Sequence, residues 1–300
     1  LTISFNFYIF ICTFFMNKNA YTIMKKDLFD LTGKIALITG GGGFLSSQSF
    51  APAVIEYGGK VILGDIDTDK LKRVYKELTD KYGKNKVYYT NLDVTSEESI
   101  SSVVEKYSEI NCVIITSCNN PKQSKDSKSI TNKSRFENFD LNTWKKDFDV
   151  GLTGTFLVCK ILGNHFISKG GGKFITIGSD MALINQDQSL YEIPGVESEN
   201  QPVKPCSYSI HKSGVVSLTK YMASYPAFNE NNVRINCISP GAIYNPDMTD
   251  EFVQKIKKKF PIKRLGTTEE LKGIVVYLLS ENSNFCQGSI ISIDGGRTLL

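Results

Sequence analysis

Short apolar runs alternate with amphipathic stretches from about residue 31 to the end of the chain. The runs, rich in Ile, Val and Leu, predict strands near 34–39, 60–65, 86–90, 112–116, 173–178, 232–238 and 289–293. The stretches between them predict helices near 46–57, 68–82, 96–107, 142–168, 208–226 and 268–280. Runs without polar alternation are buried on both faces, as parallel strands are. The alternation therefore predicts an α/β fold: one Rossmann-type, doubly wound parallel sheet of about seven strands, with helices on both faces, in a single domain. Ligands bind such sheets at the carboxyl ends of the strands. Asp65, Asp93, Ser117, Ser179 and Pro240 fall there.

The first predicted strand runs into Gly40-Gly-Gly-Gly43-Phe44-Leu45-Ser46. Glycines let the backbone turn tightly and approach a pyrophosphate, and a helix starting near Ser46 would aim its free N–H groups and dipole at the phosphates. Ser46 is a good N-cap residue. Pro52 falls inside that helix, where a lost hydrogen bond should kink it. The next strand ends in Asp65, 25 residues after Gly40 and 19 after Ser46, where a ribose-binding acid belongs. A carboxylate there accepts bonds from ribose hydroxyls and repels a 2′-phosphate. No Arg follows in Ile66-Asp67-Thr68, and the glycine loop holds no Arg or Lys, so the expected cofactor is NAD rather than NADP. Asp67 suits a helix cap better than Asp65 does.

Tyr208-Ser-Ile-His-Lys212 puts a phenol and an ammonium four residues apart, one helical turn, on one face. A free tyrosine has a pKa near ~10. A neighbouring ammonium favours the phenolate and lowers that value. Such a pair can move a proton to or from a substrate hydroxyl.

With these segments the chain resembles a short-chain dehydrogenase/reductase of the single-domain branch, from about Leu31 to the C-terminus. Asn91-Leu-Asp93-Val94 is similar to the family's adenine-contacting pair, and Gly178-Ser179 to the strand end with the catalytic serine. Val233-Arg-Ile-Asn-Cys-Ile-Ser-Pro240-Gly241 resembles the strand and turn beside the nicotinamide, and Gly288-Ser-Ile-Ile-Ser-Ile-Asp294-Gly295-Gly296 the last strand and closing turn. The resemblance implies Ser179, Tyr208 and Lys212 as catalytic residues. It implies Gly40, Gly43, Phe44, Leu45, Asp65, Ile66, Asp93, Val94, Ser117, Tyr208, Lys212, Pro240, Gly241 and Ile243 at the cofactor. Four departures stand out. The Thr-Gly-x-x-Gly-x-x-Ser spacing is more usual in the extended branch, Ser46 replaces a third glycine, Thr116-Ser-Cys-Asn119 replaces Asn-Asn-Ala-Gly, and Gly151 occupies the place of the helical asparagine that positions a relay water.

The implied activity is hydride transfer between a nicotinamide cofactor and an alcohol or ketone, with a polar, sugar-derived substrate. The pattern around Gly154 and Ser179-Asp180 resembles gluconate-type dehydrogenases and oxidoreductases encoded with surface-glycan or flagellin-modification genes. The alternatives are a nucleotide-sugar epimerase or dehydratase of the extended branch, and a non-catalytic dinucleotide binder. The Asp-Gly-Gly ending argues against the extended branch.

The 300 residues carry a net charge of +4, with Lys far in excess of Arg and no basic stripe interleaved with aromatics, so no nucleic-acid partner is expected. Seven cysteines without a Cys-x-x-Cys pair suggest a reducing cytoplasm and neither zinc nor disulfides. Cys118 and Cys206 read as packing residues. His165 and His211 lack a carboxylate cluster at ligand spacing, so no metal is expected, and His211 points off the Tyr208–Lys212 face. Residues 1–23 read as a non-domain extension, either disordered or translated upstream sequence. Their apolar run is too short to span a bilayer. Met24 reads as a natural start, with the domain over 24–300.

Substrate loops are expected at 180–207 and 242–265. Asn185–Pro205 joins Ser179 to Tyr208 and is read as a lid. Its Gln186, Gln188, Tyr191 and Glu192 would meet hydroxyls, and Lys204 with Lys255–Lys259 would supply charge for an acidic sugar derivative. A second long polar loop covers Ser117–Asp140. Trp144 reads as core or interface. A homodimer or homotetramer is expected, with Val215, Val216, Leu218 and Tyr221 as an apolar stripe at the interface.

Overall fold

The computed structural model describes residues 28–119 and 132–300. The 1–23 extension, the start at Met24 and half of the 117–140 loop, residues 120–131, lie outside the described residues.

Seven strands form one sheet: β1 (Ile35–Thr39), β2 (Lys60–Asp65), β3 (Val87–Asn91), β4 (Cys112–Ile115), β5 (Gly172–Ile177), β6 (Val233–Pro240) and β7 (Ile290–Ile293). Their order is β3-β2-β1-β4-β5-β6-β7, and every pairing is parallel. The order reverses between β1 and β4, the crevice where such sheets bind ligands. The five central strands, β2, β1, β4, β5 and β6, feed both sides. Ala36 and Ile38 face one core cluster and Leu37 the other, as a two-residue repeat requires.

The first face is covered by α1 (Ala51–Glu56), α2 (Thr68–Tyr82) and α9 (Lys272–Leu279). The second is covered by α3 (Glu97–Lys106), α5 (Gly154–Lys169) and α6 (Cys206–Ala223). α4 (Leu141–Phe148) leads into α5, while α7 (Pro226–Glu230) and α8 (Asp250–Ile256) are short. Segment 141–169 is long and apolar enough to cross a membrane, but Leu157, Val158, Leu162 and Phe166 are buried in the second core.

Three helices differ from the sequence expectation. Pro52 does not kink a regular helix. A wider π-type turn, Ser46–Phe50, precedes it, and Pro52 enters in the first turn of α1, where its missing N–H costs little. The predicted helix 142–168 is divided by a second π-type turn, Asp149–Thr153. The predicted helix 208–226 stops at Ala223, and Pro226 opens α7. The expected interface stripe also divides. Val215 and Val216 are buried in their own subunit, whereas Tyr221 is 67% exposed.

Candidate active site

A cleft of about 1190 Å³ opens at the carboxyl ends of the strands. Every residue named above for cofactor or catalysis lines it.

At one end the glycine loop is shaped by contacts only glycine allows. Gly40 has φ +66°, and a Cβ there would meet Thr116 Oγ1 at 2.9 Å. A Cβ on Gly42 would meet Lys70 Cβ at 2.9 Å. The Gly42 N–H donates to Asp65 Oδ2 at 2.9 Å, while Asp65 Oδ1 accepts from Asp67 N at 3.0 Å. Asp65 thus braces the loop and still presents lone pairs to the cleft. Asp67 caps α2, as its position suggested. The helical turn begins at Phe44, so Ser46 is not its cap. Ser46 lies inside the first turns, and its hydroxyl donates to Gly40 O at 2.9 Å, tying helix to loop. The free N–H groups of that first turn face an open cradle.

The next strand ends complete this half. Asp93 Oδ1 accepts from Thr95 N and Oγ1, and Val94 packs where a Cβ on Gly154 would be. Thr116 Oγ1 donates to Thr39 O at 2.9 Å, which holds Ser117 at the mouth. Ile66 is exposed beside Asp65. The cradle, the braced acid and the two apolar walls fit an adenine dinucleotide. Arg73 and Lys70 also line this end, and sequence reading did not count them because α2 brings them back from beyond the strand. Lys70 is paired with Asp67 at 2.7 Å.

At the other end Ser179 follows β5 and Tyr208 stands in the first turn of α6. Lys212, one turn on and 4% exposed, donates to Ile177 O at 2.7 Å, and its ammonium is 6.0 Å from the Tyr208 ring centroid. Lys204 is nearer, at 4.3 Å. The expected lowering of the phenol is reversed in the protein alone. Burial pushes Tyr208 up, the nearby Cys118 adds to it, and the hydrogen bond with Ser179 only partly opposes it. Ser179 Oγ also donates to Asp180 Oδ1 at 3.0 Å. Asp180 Oδ2 accepts from Arg297 Nη1 at 2.6 Å, with both side chains 4% exposed. This pair joins positions 117 apart, and no spacing signal could have found it. Pro240, Gly241 and Ile243 form the wall beyond β6, with Gly241 N donating to Ile293 O at 3.0 Å.

The two substrate loops fold together. Leu190 and Tyr191 pack with Ile256, Phe260 and Leu265 in a small third core. Lys259 pairs with Asp187 at 2.6 Å and holds that carboxyl down to about 2. Lys255 pairs with Glu251 and donates to Glu192 O. The lysine run therefore clamps the loop instead of charging the cleft. Gln188 Oε1 accepts from Lys204 N, and Gln186 and Glu192 do not line the cleft. Of the loop groups singled out, Tyr191 and Lys204 do. Cys118 lines the cleft too.

Residues 47–298 match a family model described as Enoyl-(Acyl carrier protein) reductase. A 3-oxoacyl-[acyl-carrier-protein] reductase FabG from Aquifex aeolicus is 29% identical over 89% of this chain and 98% of its own. An NAD-dependent glycerol dehydrogenase from Listeria innocua is 26% identical over 91% and 97%. The crystal structure of a short-chain type dehydrogenase/reductase from Mycobacterium marinum superposes with a TM-score of 0.74 at 29% identity, covering 91% and 98%.

Proposed function

The chain belongs to the short-chain dehydrogenase/reductase family, and from that premise we propose an NAD(H)-dependent oxidoreductase acting on the carbinol or ketone of a polar, sugar-derived substrate. The observation that carries it is the meeting of Ser179, Tyr208 and Lys212 at one end of a cleft whose other end is a glycine cradle braced by Asp65. When bound, a nicotinamide supplies or accepts the hydride. Tyr208 exchanges a proton with the substrate oxygen, and Ser179 hydrogen-bonds that oxygen. Lys212, held by Ile177 O, favours the phenolate as the proton leaves. Gly40, Gly43, Phe44 and Leu45 would hold the pyrophosphate, Asp65 and Ile66 the adenosine ribose, and Asp93, Val94 and Ser117 the adenine side. Pro240, Gly241 and Ile243 would flank the nicotinamide.

Asp65 supports NAD(H), since a 2′-phosphate would meet its carboxylate. The clamped 180–207 loop supports a polar substrate because Tyr191 and Lys204 face the cleft. Exposed Phe156, Ile210 and Tyr221 on α5 and α6 support a homo-oligomer, and six unpaired cysteines among the described residues suit the cytoplasm. Purified protein tested with both cofactors against a panel of polyols, aldonic acids and ketoses checks the reading. Substrate-dependent NADH formation or loss is expected. Product without net NADH would point to an epimerase, and neither product nor cofactor binding would overturn the proposal.

A further inference from the structure

We propose that Asp180 takes up and returns the proton of the reaction: a chain of hydroxyls from Tyr208 through Ser179 ends on its buried carboxylate. This rests on the oxidoreductase reading of the same cleft.

Ser179 has one hydrogen to give. It gives it to Asp180 Oδ1 at 3.0 Å, while Met181 N donates to the Ser179 oxygen at 3.2 Å. One lone pair of that oxygen is left, and Tyr208 is its remaining hydrogen-bond partner. The resting order is therefore phenol to serine to carboxylate. Ser179 can give its hydrogen to a phenolate, or to the reacting oxygen, once Asp180 gives one back. The shift is balanced. The phenol proton moves to Ser179 Oγ, the Ser179 proton moves to Asp180 Oδ1, and phenolate and carboxylic acid arise together. The phenolate then takes the proton of the substrate hydroxyl as the hydride leaves the carbinol carbon for the nicotinamide. Asp180, which lines the cleft, returns its proton to solvent. Reduction runs the same steps backwards.

The carboxyl suits both states. Oδ2 accepts from Arg297 Nη1 at 2.6 Å and Oδ1 from Met181 N at 2.8 Å, which holds it in place with or without a proton on Oδ1. The side chain is 4% exposed, and burial raises it above the usual carboxylate range although Arg297 opposes that. The titratable groups around it are Arg297 near the C-terminus, Tyr191 of the loop, and Lys204 and Tyr208 before and within the first turn of α6. The other neighbours of the phenol offer no such exit. Lys212 is an ammonium that donates to Ile177 O and has no acceptor. His211 meets the phenol ring edge-on, and neither of its nitrogens bonds the phenol oxygen.

Two measurements test this, the first without substrate. An infrared titration of the protein alone should show a carboxyl that takes its proton above the ordinary value of about 3.9 and that is missing from Asp180→Asn. That variant keeps an acceptor for Arg297 and cannot be protonated. Finding no such carboxyl would overturn the proposal. The second is stopped-flow oxidation of glycerol, glucitol and gluconate by NAD. For a probe that reacts, the wild-type transfer rate should fall below the pH at which Asp180 takes its proton and level off above it. Asp180→Asn should be slower by about tenfold or more at neutral pH. Its rate should climb with pH without levelling, because Tyr208 then loses its proton straight to solvent. Asp180→Glu should restore the plateau. In mixtures of H2O and D2O the wild-type rate should bow with deuterium fraction, as protons moving together require, and the Asp180→Asn rate should fall linearly. A linear wild-type dependence would overturn the proposal without any variant. A carboxylate that only braced Ser179 would slow Asp180→Asn but leave its plateau and bowed dependence, which also overturns it. Failure of NAD to bind, or of all three probes to react, would instead strike the oxidoreductase reading, and the infrared titration would still decide Asp180.

Discussion

His211 occupies the room that a side chain at Gly151 would need. A Cβ added at Gly151 would lie 2.7 Å from His211 Cδ2 and 2.9 Å from Nε2. The imidazole is fully buried, and neither ring nitrogen makes a hydrogen bond of normal geometry to a described residue. Its ring meets the edges of Tyr208 at 5.4 Å and Phe148 at 6.4 Å. The missing helical asparagine and this histidine are therefore one packing solution. Gly151→Asn alone should cost about 1–3 kcal/mol by overpacking. Adding His211→Ala should recover part of that loss. Urea unfolding of the four species gives the coupling, and strict additivity would refute the pairing.

The same ring sets a pH window for stability. Burial, with Lys212 beside it, pushes His211 from its ordinary 6.5 down to about 4. The unfolded chain therefore binds the extra proton first. Stability present above about 6.5 should fall as pH drops toward 4, by up to about 3 kcal/mol. Asp187, Glu270 and Glu281 are held near 2, so much of their loss comes at lower pH. His211→Leu should flatten the curve between pH 6.5 and 4. An unchanged slope would contradict the assignment.

Arg297 reaches Ser179 through Asp180. Burial raises the Asp180 carboxyl, and Arg297 opposes it. Arg297→Met leaves that carboxylate buried without its guanidinium, and breaking such a pair costs about 3–5 kcal/mol. The double variant Asp180→Asn/Arg297→Met should be less destabilised than Arg297→Met. Thermal unfolding checks the order, and equal or greater loss in the double variant would deny the coupling.

Asp65 should set cofactor choice. Asp65→Ser removes the repulsion of a 2′-phosphate and leaves Arg73 near it. NADPH affinity should rise about tenfold or more and NADH affinity fall, read by fluorescence titration. Part of the loss of NADH affinity should come from a loosened loop, because Gly42 N loses its acceptor. No change in preference would show that another group chooses.

The sheet was legible because its signal is local. Each of the seven strands lies within about two residues of its apolar run, and Asp65, Ser179 and Tyr208 take their places from those strand and helix ends. The π-type turns were not legible, since Ser46–Phe50 and Asp149–Thr153 differ from α-helix in hydrogen-bond register and not in apolar period. Side-chain partners across the sheet were also hidden. The lysines at 255 and 259, expected to bring charge to the substrate, instead meet Asp187 and Glu192 of the 185–205 loop. Arg297 pairs with Asp180 across 117 positions, which no local pattern signals. Gly151 looked like a loss, because the histidine that fills its space lies 60 residues on.

The central claim is that Tyr208 handles the substrate proton. With a substrate found from the polyol and sugar-acid panel, stopped-flow NADH absorbance of wild type and Tyr208→Phe tests it most directly. The substitution removes one oxygen and keeps the ring against His211. The account predicts a fall in the hydride-transfer rate of about 10²–10⁴ with NADH affinity nearly unchanged. Near-normal transfer by Tyr208→Phe would contradict it.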